Sequence, residues 1–471
     1  LGFIVSAAFR SARKKNAELV AAAEEERFLR DKHAKKKLPL HAADFCLQQA
    51  AIRPEDVDVV AIPFAPIAIS RPHRWHYARR YWYAPDRGLD ALFNGNRRYR
   101  RYKGRIIDLL KQLGFDPKRV VLEPVEHHLA HASSAYHCSG FTEKTAIMGI
   151  DGKGEYATTF FGYGENGVIH KIKEFYDPDS LGGLYGAITE YLGFEMLDGE
   201  YKVMGMAPYG DPGRYDFSRL ASFENGELRI DTRYANVIGL RRHKDKGKGY
   251  YCSEKLIDGL GPRREGDIAD EPYIHYAASI QALFEKLALQ MMDFYLGDII
   301  RETGKLAFAG GGALNVKLNQ KIIARPEVKE LFVQPASGDA GTAVGAASCA
   351  SSTGVPASEI GENSPALNGG VAKDLSIVSW PVRRPRCRRR SRCRSSSNSY
   401  GCTCSNNSTP SFSVNHRTLS NIFIESLVVK DIYSLFKLCL NFVVRFVNGS
   451  DENNFGIVRD VIKVFVSNKA F

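Results

Sequence analysis

Apolar and polar positions along this chain follow two rhythms. Compact apolar runs at Ala17–Glu24, Val57–Ile62, Arg119–Val125, Thr145–Ile150, Tyr156–Gly162, Val168–Phe175, Leu306–Ala309 and Glu330–Gln334 have strand length and end at turn residues. Helical spacing marks Leu38–Ala51, Glu126–Tyr136, Ser180–Leu192, Tyr273–Thr303 and Asn315–Ile323. In the longest of these, Ile280, Leu283, Phe284, Leu287, Met291, Phe294 and Ile299 form one apolar stripe, the pattern of a core helix. Strands alternating with helices predict an α/β fold. Three stretches break the alternation. Residues 65–119 are polar, aromatic and basic, residues 211–270 are polar and turn-rich, and residues 198–210 read as a substrate-facing loop.

The chemistry gathers at the junctions between these elements. His127 and His131 sit four apart, so on a helix they share one face and can reach one divalent cation. The competing reading is a pair of histidines satisfied by hydrogen bonds on a half-buried helix. Thr145–Ile150 ends in Asp151-Gly152-Lys153-Gly154-Glu155, a strand-to-turn step at which backbone N–H groups approach a phosphate and an acid can hold a metal. Gly182 and Gly183 open one helix, and Gly310, Gly311 and Gly312 lead through Asn315 into another; both are places for an anion or nucleotide. Lys202 lies in the 198–210 loop. Asp339 stands at a strand-to-helix turn, either as a hard-oxygen third metal ligand or as a helix N-cap.

Composition narrows the classes. With 471 residues the chain exceeds one typical core, and 44% hydrophobic with 25% charged residues is ordinary for a globular protein. The net charge of +12 suggests nucleic acid until it is located: eight arginines fall between Arg383 and Arg394. Arginines interleaved with aromatics at Arg71–Tyr77 could grip single strands, but no RNA-binding signature accompanies them, and a helical insert is the preferred reading. Cys46, Cys138, Cys252 and Cys349 are scattered singly, which reads as a reduced, cytoplasmic setting. No apolar run reaches membrane-spanning length. No leader precedes Leu1, where the start reads as truncated.

Taken together, AAAEEERFLRDKH (21–33), EHHLAHASSAY (126–136), IMGIDGKGE (147–155), SLGGLYGAITEYLGF (180–194), DGEYKVMGMAPYG (198–210), FAGGGALNVKLNQKI (308–322) and SGDAGTAVGAA (337–347) resemble the O-carbamoyltransferases of the NodU and tobramycin type. The resemblance covers roughly residues 1–355. It implies a two-lobed actin-like ATPase fold, a duplicated ribonuclease H-like unit. The lobes would be residues 1–143, with the insert at 65–119, and residues 144–355. It also implies that His127, His131 and Asp339 hold a metal, with Fe(II) the expected ion, and that the glycine-rich turns hold ATP or carbamoyl-adenylate. The expected activity makes carbamoyl-adenylate from carbamoyl phosphate and ATP in a C-terminal YrdC-like domain. It then moves the carbamoyl group to a hydroxyl of a small natural product or sugar. Asp151, or else Asp198, would take the hydroxyl proton, and Lys32 would steady a carbonyl or phosphate. The alternatives are threonylcarbamoyl transfer to tRNA or another actin-like-fold ATP activity such as sugar phosphorylation, and an inactive nucleotide- and metal-binding fragment. A homodimer is left open. Two departures stand out. Ser6–Lys15 does not carry the family's His-Asp-Ser-Ala type turn. Residues 356–471 carry none of the YrdC-like wording, and this tail is expected to be largely disordered up to about residue 415.

Overall fold

The computed structural model describes residues 5–11, 17–235, 252–265 and 270–353. The atypical tail and the tip of the departed turn, residues 12–16, lie outside them. Strands β1 (Val5–Ser11) and β2 (Ala17–Glu24) pair antiparallel. The sequence pattern does not single out β1, because its alanine and serines are weak strand formers. After α1 (Glu25–Leu29), α2 (Leu40–Ala50) sets Cys46 and Ala50 against Val20, Ala21 and Ala23. Strand β3 (Val59–Ile62) then feeds three helices, α3 (Pro72–Arg80), α4 (Pro85–Asn94) and α5 (Arg97–Gln112). Strand β4 (Val121–Pro124) returns to pair parallel with β3. Ile106 and Leu110 of α5 bury against Ile62 and Phe64. Several insert arginines end on the chain's own carbonyls: Arg74 donates to Leu92 (2.8 Å), Arg98 to Gly154 (3.2 Å) and Arg105 to Lys37 (2.8 Å).

Helix α6 (His127–Cys138) leads into the main sheet, whose first three strands are β5 (Thr145–Ile150), β6 (Ala157–Glu165) and β7 (Val168–Tyr176). These three are antiparallel neighbours. Helix α7 (Leu181–Tyr191) follows, then α8 (Glu200–Met206), the hairpin of β8 (Ala221–Glu224) and β9 (Glu227–Ile230), α9 (Glu254–Leu260) and the long α10 (Tyr273–Thr303). Strand β10 (Lys305–Ala309) pairs parallel with β5, and after α11 (Val316–Ile323) strand β11 (Glu330–Val333) pairs parallel with β10. Helix α12 (Thr342–Thr353) closes the described chain. The sheet runs β7-β6-β5-β10-β11, so three antiparallel strands are extended by two parallel ones. This is the strand order the ribonuclease H-like expectation requires of one lobe.

All six residues of β5 are buried, as befits a central strand covered on both faces. Met148, Ile150, Leu184, Ile188, Phe284 and Leu287 sit in the largest apolar cluster, which joins the sheet to α7 and α10. The predicted stripe of α10 is buried except at Phe294, which is 60% exposed. That ring leans on Phe223 of β8, with centroids 5.6 Å apart. The expected loop at 198–210 is instead α8 followed by a short 3-10 turn, with Val203 and Met206 three apart on its buried face. Among the described residues no helix is long and apolar enough to cross a membrane.

Candidate metal centre

Strands β3, β4, β5, β10 and β11 all deliver their C-terminal ends to one region. Strand β4 passes through Glu126 into α6, whose Ala130, Ala132, Ser133, Ser134 and Ala135 are buried. Small side chains let α6 lie close to its neighbours: Ala135 meets Ala307 and Ala309 of β10, and Ala130 meets Ala346 of α12. At the α6–α12 crossing, a Cβ on Gly345 would run into the carbonyl of Ala130. That close approach carries Asp339, just before α12, up to the histidines.

His127 Nε2 and His131 Nε2 lie 3.1 Å apart. Asp339 Oδ1 is 3.5 Å from the first and 3.8 Å from the second, and Asp151 Oδ2 is 3.6 Å from His127 Nε2. One ligand atom from each of the four residues falls within 4.8 Å of all the others. The His127 ring is fixed from behind by Nδ1, which sits 3.2 Å from the Pro63 carbonyl at the end of β3. A proton held at Nδ1 leaves Nε2 bare for a cation, the usual arrangement around a ligating histidine. His131 Nδ1 is buried without a hydrogen-bond partner among the described residues. Two imidazole nitrogens this close, flanked by two carboxylates, suit a divalent metal of mixed nitrogen and oxygen preference.

The charges are strongly coupled. Burial alone would lower the His127 pKa, but the bonds to Asp151 and Asp339 overcome it and hold the ring protonated well above the usual range when no cation is present. Burial likewise pushes Asp151 and Asp339 up, and the imidazole contacts reverse this, leaving both carboxyls well below their ordinary value. His128, buried and beside His127, is pushed down to about 4, so it stays neutral; both its ring nitrogens lack hydrogen-bond partners among the described residues. Glu155 caps the start of α6: its carboxylate accepts from the Ala65 backbone N–H at 2.6 Å and from that of His127 at 3.2 Å.

The structure brings most of the sequence-selected residues together around Asp151. Asp151 Oδ1 accepts from the Gly311 N–H at 3.0 Å. Gly310 has φ +89°, and any Cβ there would strike the Ile150 carbonyl; Gly312 rests on Ile150 as well. Ser180 Oγ donates to the Gly152 carbonyl at 2.6 Å and accepts from the Gly183 N–H at 2.9 Å, while Gly182 packs on the Asp151 carbonyl. Gly152 faces open space. Asn315 is engaged otherwise: it caps α11 by accepting from the Leu318 N–H (3.0 Å) and trades two hydrogen bonds of 2.9 Å with Gln281. Asp198 and Lys32 form a second group. Lys32 Nζ is 2.5 Å from Asp198 Oδ1 and stands over the Tyr201 ring, and His33 Nε2 is 2.8 Å from the same oxygen. Lys202 is exposed, over the rings of Phe194 and Tyr201. Sequence reasoning misses Pro63 and Glu155. The carbonyl leaves no trace in side-chain pattern, and Glu155 shows itself only as an acid closing the Asp151 turn.

A family profile described as carbamoyltransferase N-terminus matches residues 10–348. The chain belongs to the carbamoyltransferase family. Among its relatives, this carbamoyltransferase-family chain is 34% identical over 346 residues to an uncharacterised protein of Synechocystis, covering 71% of this chain and 53% of that one. It is 33% identical over 362 residues to the nodulation protein NolNO of Sinorhizobium fredii, covering 74% and 46%. It is 36% identical over 230 residues to the nodulation protein NolO of Bradyrhizobium diazoefficiens, covering 48% and 38%. The chain thus spans about half the length of the curated relatives it matches. Solved structures with some likeness include full-length HypF in a phosphate- and nucleotide-bound form (14% identity, TM-score 0.27, covering 53% of this chain and 49% of that one). Another is MreB 5 of Spiroplasma citri bound to AMPPNP (12% identity, TM-score 0.26, covering 53% and 63%).

Proposed function

We propose that this chain is the transfer portion of a carbamoyltransferase. It would move a carbamoyl group from carbamoyl-adenylate, made from carbamoyl phosphate and ATP, to a hydroxyl of a small natural product or sugar. The observation that carries this reading is the convergence of His127, His131, Asp151 and Asp339 beside the open backbone of Gly152. Residues 1–143 and 144–355 are then two actin-like lobes meeting at that point, in a cytoplasmic enzyme. His127, His131 and Asp339 would hold the cation, with Fe(II) the ion implied by the family resemblance. Bound there, a divalent ion supplies positive charge for phosphate oxygens.

The chain's own groups do the rest. The N–H of Gly311 fixes the Asp151 carboxylate, and the exposed face of Gly152 leaves room for a phosphate to approach the turn. Asp151, or else Asp198, would take the hydroxyl proton; both carboxyls sit below their ordinary value, Asp151 because its contact with His127 outweighs burial and Asp198 because of its bonds to Lys32 and His33. The ion pair with Lys32 orients Asp198. The tRNA alternative draws less support, because three insert arginines, Arg74, Arg98 and Arg105, are occupied by the protein's own carbonyls.

Elemental analysis of the full chain, purified without added metal, should find one equivalent, lost in both His127→Ala and Asp339→Ala. Retention of that equivalent in both variants refutes the centre. Supplied carbamoyl-adenylate should then support transfer to a hydroxyl acceptor, and Asp198→Asn should slow it. Metal bound with no transfer from supplied carbamoyl-adenylate favours the inactive-fragment reading.

A further inference from the structure

A cleft of about 660 Å3 opens between the end of α3 and the β8–β9 hairpin, and none of the residues of the metal centre line it. Its walls carry five arginines: Arg79 and Arg80 from the insert, Arg219 ahead of β8, Arg229 on β9 and Arg233 beyond it. Two are anchored from behind. The buried carboxylate of Asp179 accepts from Arg80 at 2.9 Å and from Arg229 at 3.3 Å. Arg233 folds onto Asp231 at 2.5 Å. Arg79 and Arg219 are exposed and make no ion pair among the described residues, although Asp216 lies close enough to Arg219 to feel its charge. Glu227 stands 3.7 Å from Arg229, so five guanidiniums face the four carboxylates Asp179, Asp231, Glu227 and Asp216, and the cleft keeps a small positive excess. At the rim Trp82 is 78% exposed, with Tyr83 edge-on to it at 6.1 Å.

We propose that this cleft binds a nucleoside phosphate, with its phosphates on Arg79 and Arg219 and its base on Trp82. Guanidinium forks match phosphate oxygens in pairs, and the Asp179 anchor holds Arg80 and Arg229 in place before any ligand arrives. The indole offers a flat apolar face beside that charge, which a base can stack on and a bare phosphate cannot use. The size fits a small molecule, since such pockets run from about 300 to 1,000 Å3. The site is independent of the transfer reading and shares no lining residue with the metal centre.

Trp82 is a built-in reporter. ADP titrated into the full chain should quench its fluorescence saturably, and the quench should persist in the His127→Ala/His131→Ala chain. Arg79→Glu/Arg219→Glu should weaken binding at least tenfold, and Trp82→Phe should abolish the quench while calorimetry still detects ADP. Inorganic pyrophosphate should compete without quenching. Should the double glutamate variant fail to fold, Arg79→Gln gives the same reading with a smaller loss. The proposal is overturned by an absent quench, by a quench undiminished in the arginine variants, or by a quench lost with the histidines. Binding of a short oligonucleotide in place of ADP overturns it as well.

Discussion

The main sheet and the first-half strands are built to the same order and to very different depth. Strands β5, β6, β7, β10 and β11 form one continuous ladder around a wholly buried central strand. The first half repeats the sequence of an antiparallel pair, β1–β2, then a helix, then a parallel pair, β3–β4, but the two pairs are separate sheets. Val59 on β3 and Val121 on β4 are 46% and 51% exposed. Both regions nonetheless send their parallel strands toward the same centre. Pro63 and His127 come from one, and Asp151, Gly310 and Asp339 come from the other. The C-terminal ends of parallel strands are where open α/β sheets place ligands. One site can thus draw on a deeply buried sheet and a lightly buried pair of strands, provided one close helix crossing ties them.

The largest expected effect lies in the main sheet. Phe161→Ala empties a fully buried position in β6 and should cost about 3–5 kcal/mol in a urea or thermal unfolding midpoint. The tie comes next. Gly345→Ala forces α12 off the Ala130 carbonyl and should cost about 3 kcal/mol. It should also lower bound metal, since Asp339 moves with α12; unchanged stability and metal content would show that the crossing is not the tie. A third test lies in acid. Glu174 on β7 is buried, a condition that raises a carboxyl, but its bond to His73 and the charge of Lys171 pull it down to about 2 from an ordinary 4.5. A carboxyl depressed in the folded state stabilises above the unfolded pKa, so stability should fall as pH drops from about 4.5 toward 2. The Glu174→Gln variant should show a flatter profile across that window. The smallest effect belongs to the lightly buried half: Val121→Ala should change stability by less than about 0.5 kcal/mol. A loss approaching that of Phe161→Ala would erase the contrast.

Much of this was legible where a local rule decides the outcome. The spacing of His127 and His131 needs only a helix, and the apolar run of β5 needs only a buried strand. The 31-residue span of α10 follows from one unbroken pattern closed by Gly304. Legibility failed where a tertiary partner decides. Helix α8 contains glycine and precedes a proline, so it reads as a loop, yet burial of Val203 and Met206 makes it helical. Phe294 has the spacing of a core residue, and only the hairpin above α10 explains why it lies at the edge. Gly310 and Gly312 look like nucleotide turns, but they also seat β10 against Ile150, a close backbone contact no one-dimensional pattern displays.

The crossing of α6 and α12 also sets an order in time. His127 and Asp339 are separated by about two hundred residues, and closing so long a loop is slow because its entropy must be spent before the contact is made. Seven strands, β5 to β11, and the helices between them separate the two residues along the chain, and a cation would find the proposed ligands only once these are in place. Metal uptake by a refolding chain would therefore act as a clock for the final docking step, lagging behind the earlier rise of helical signal.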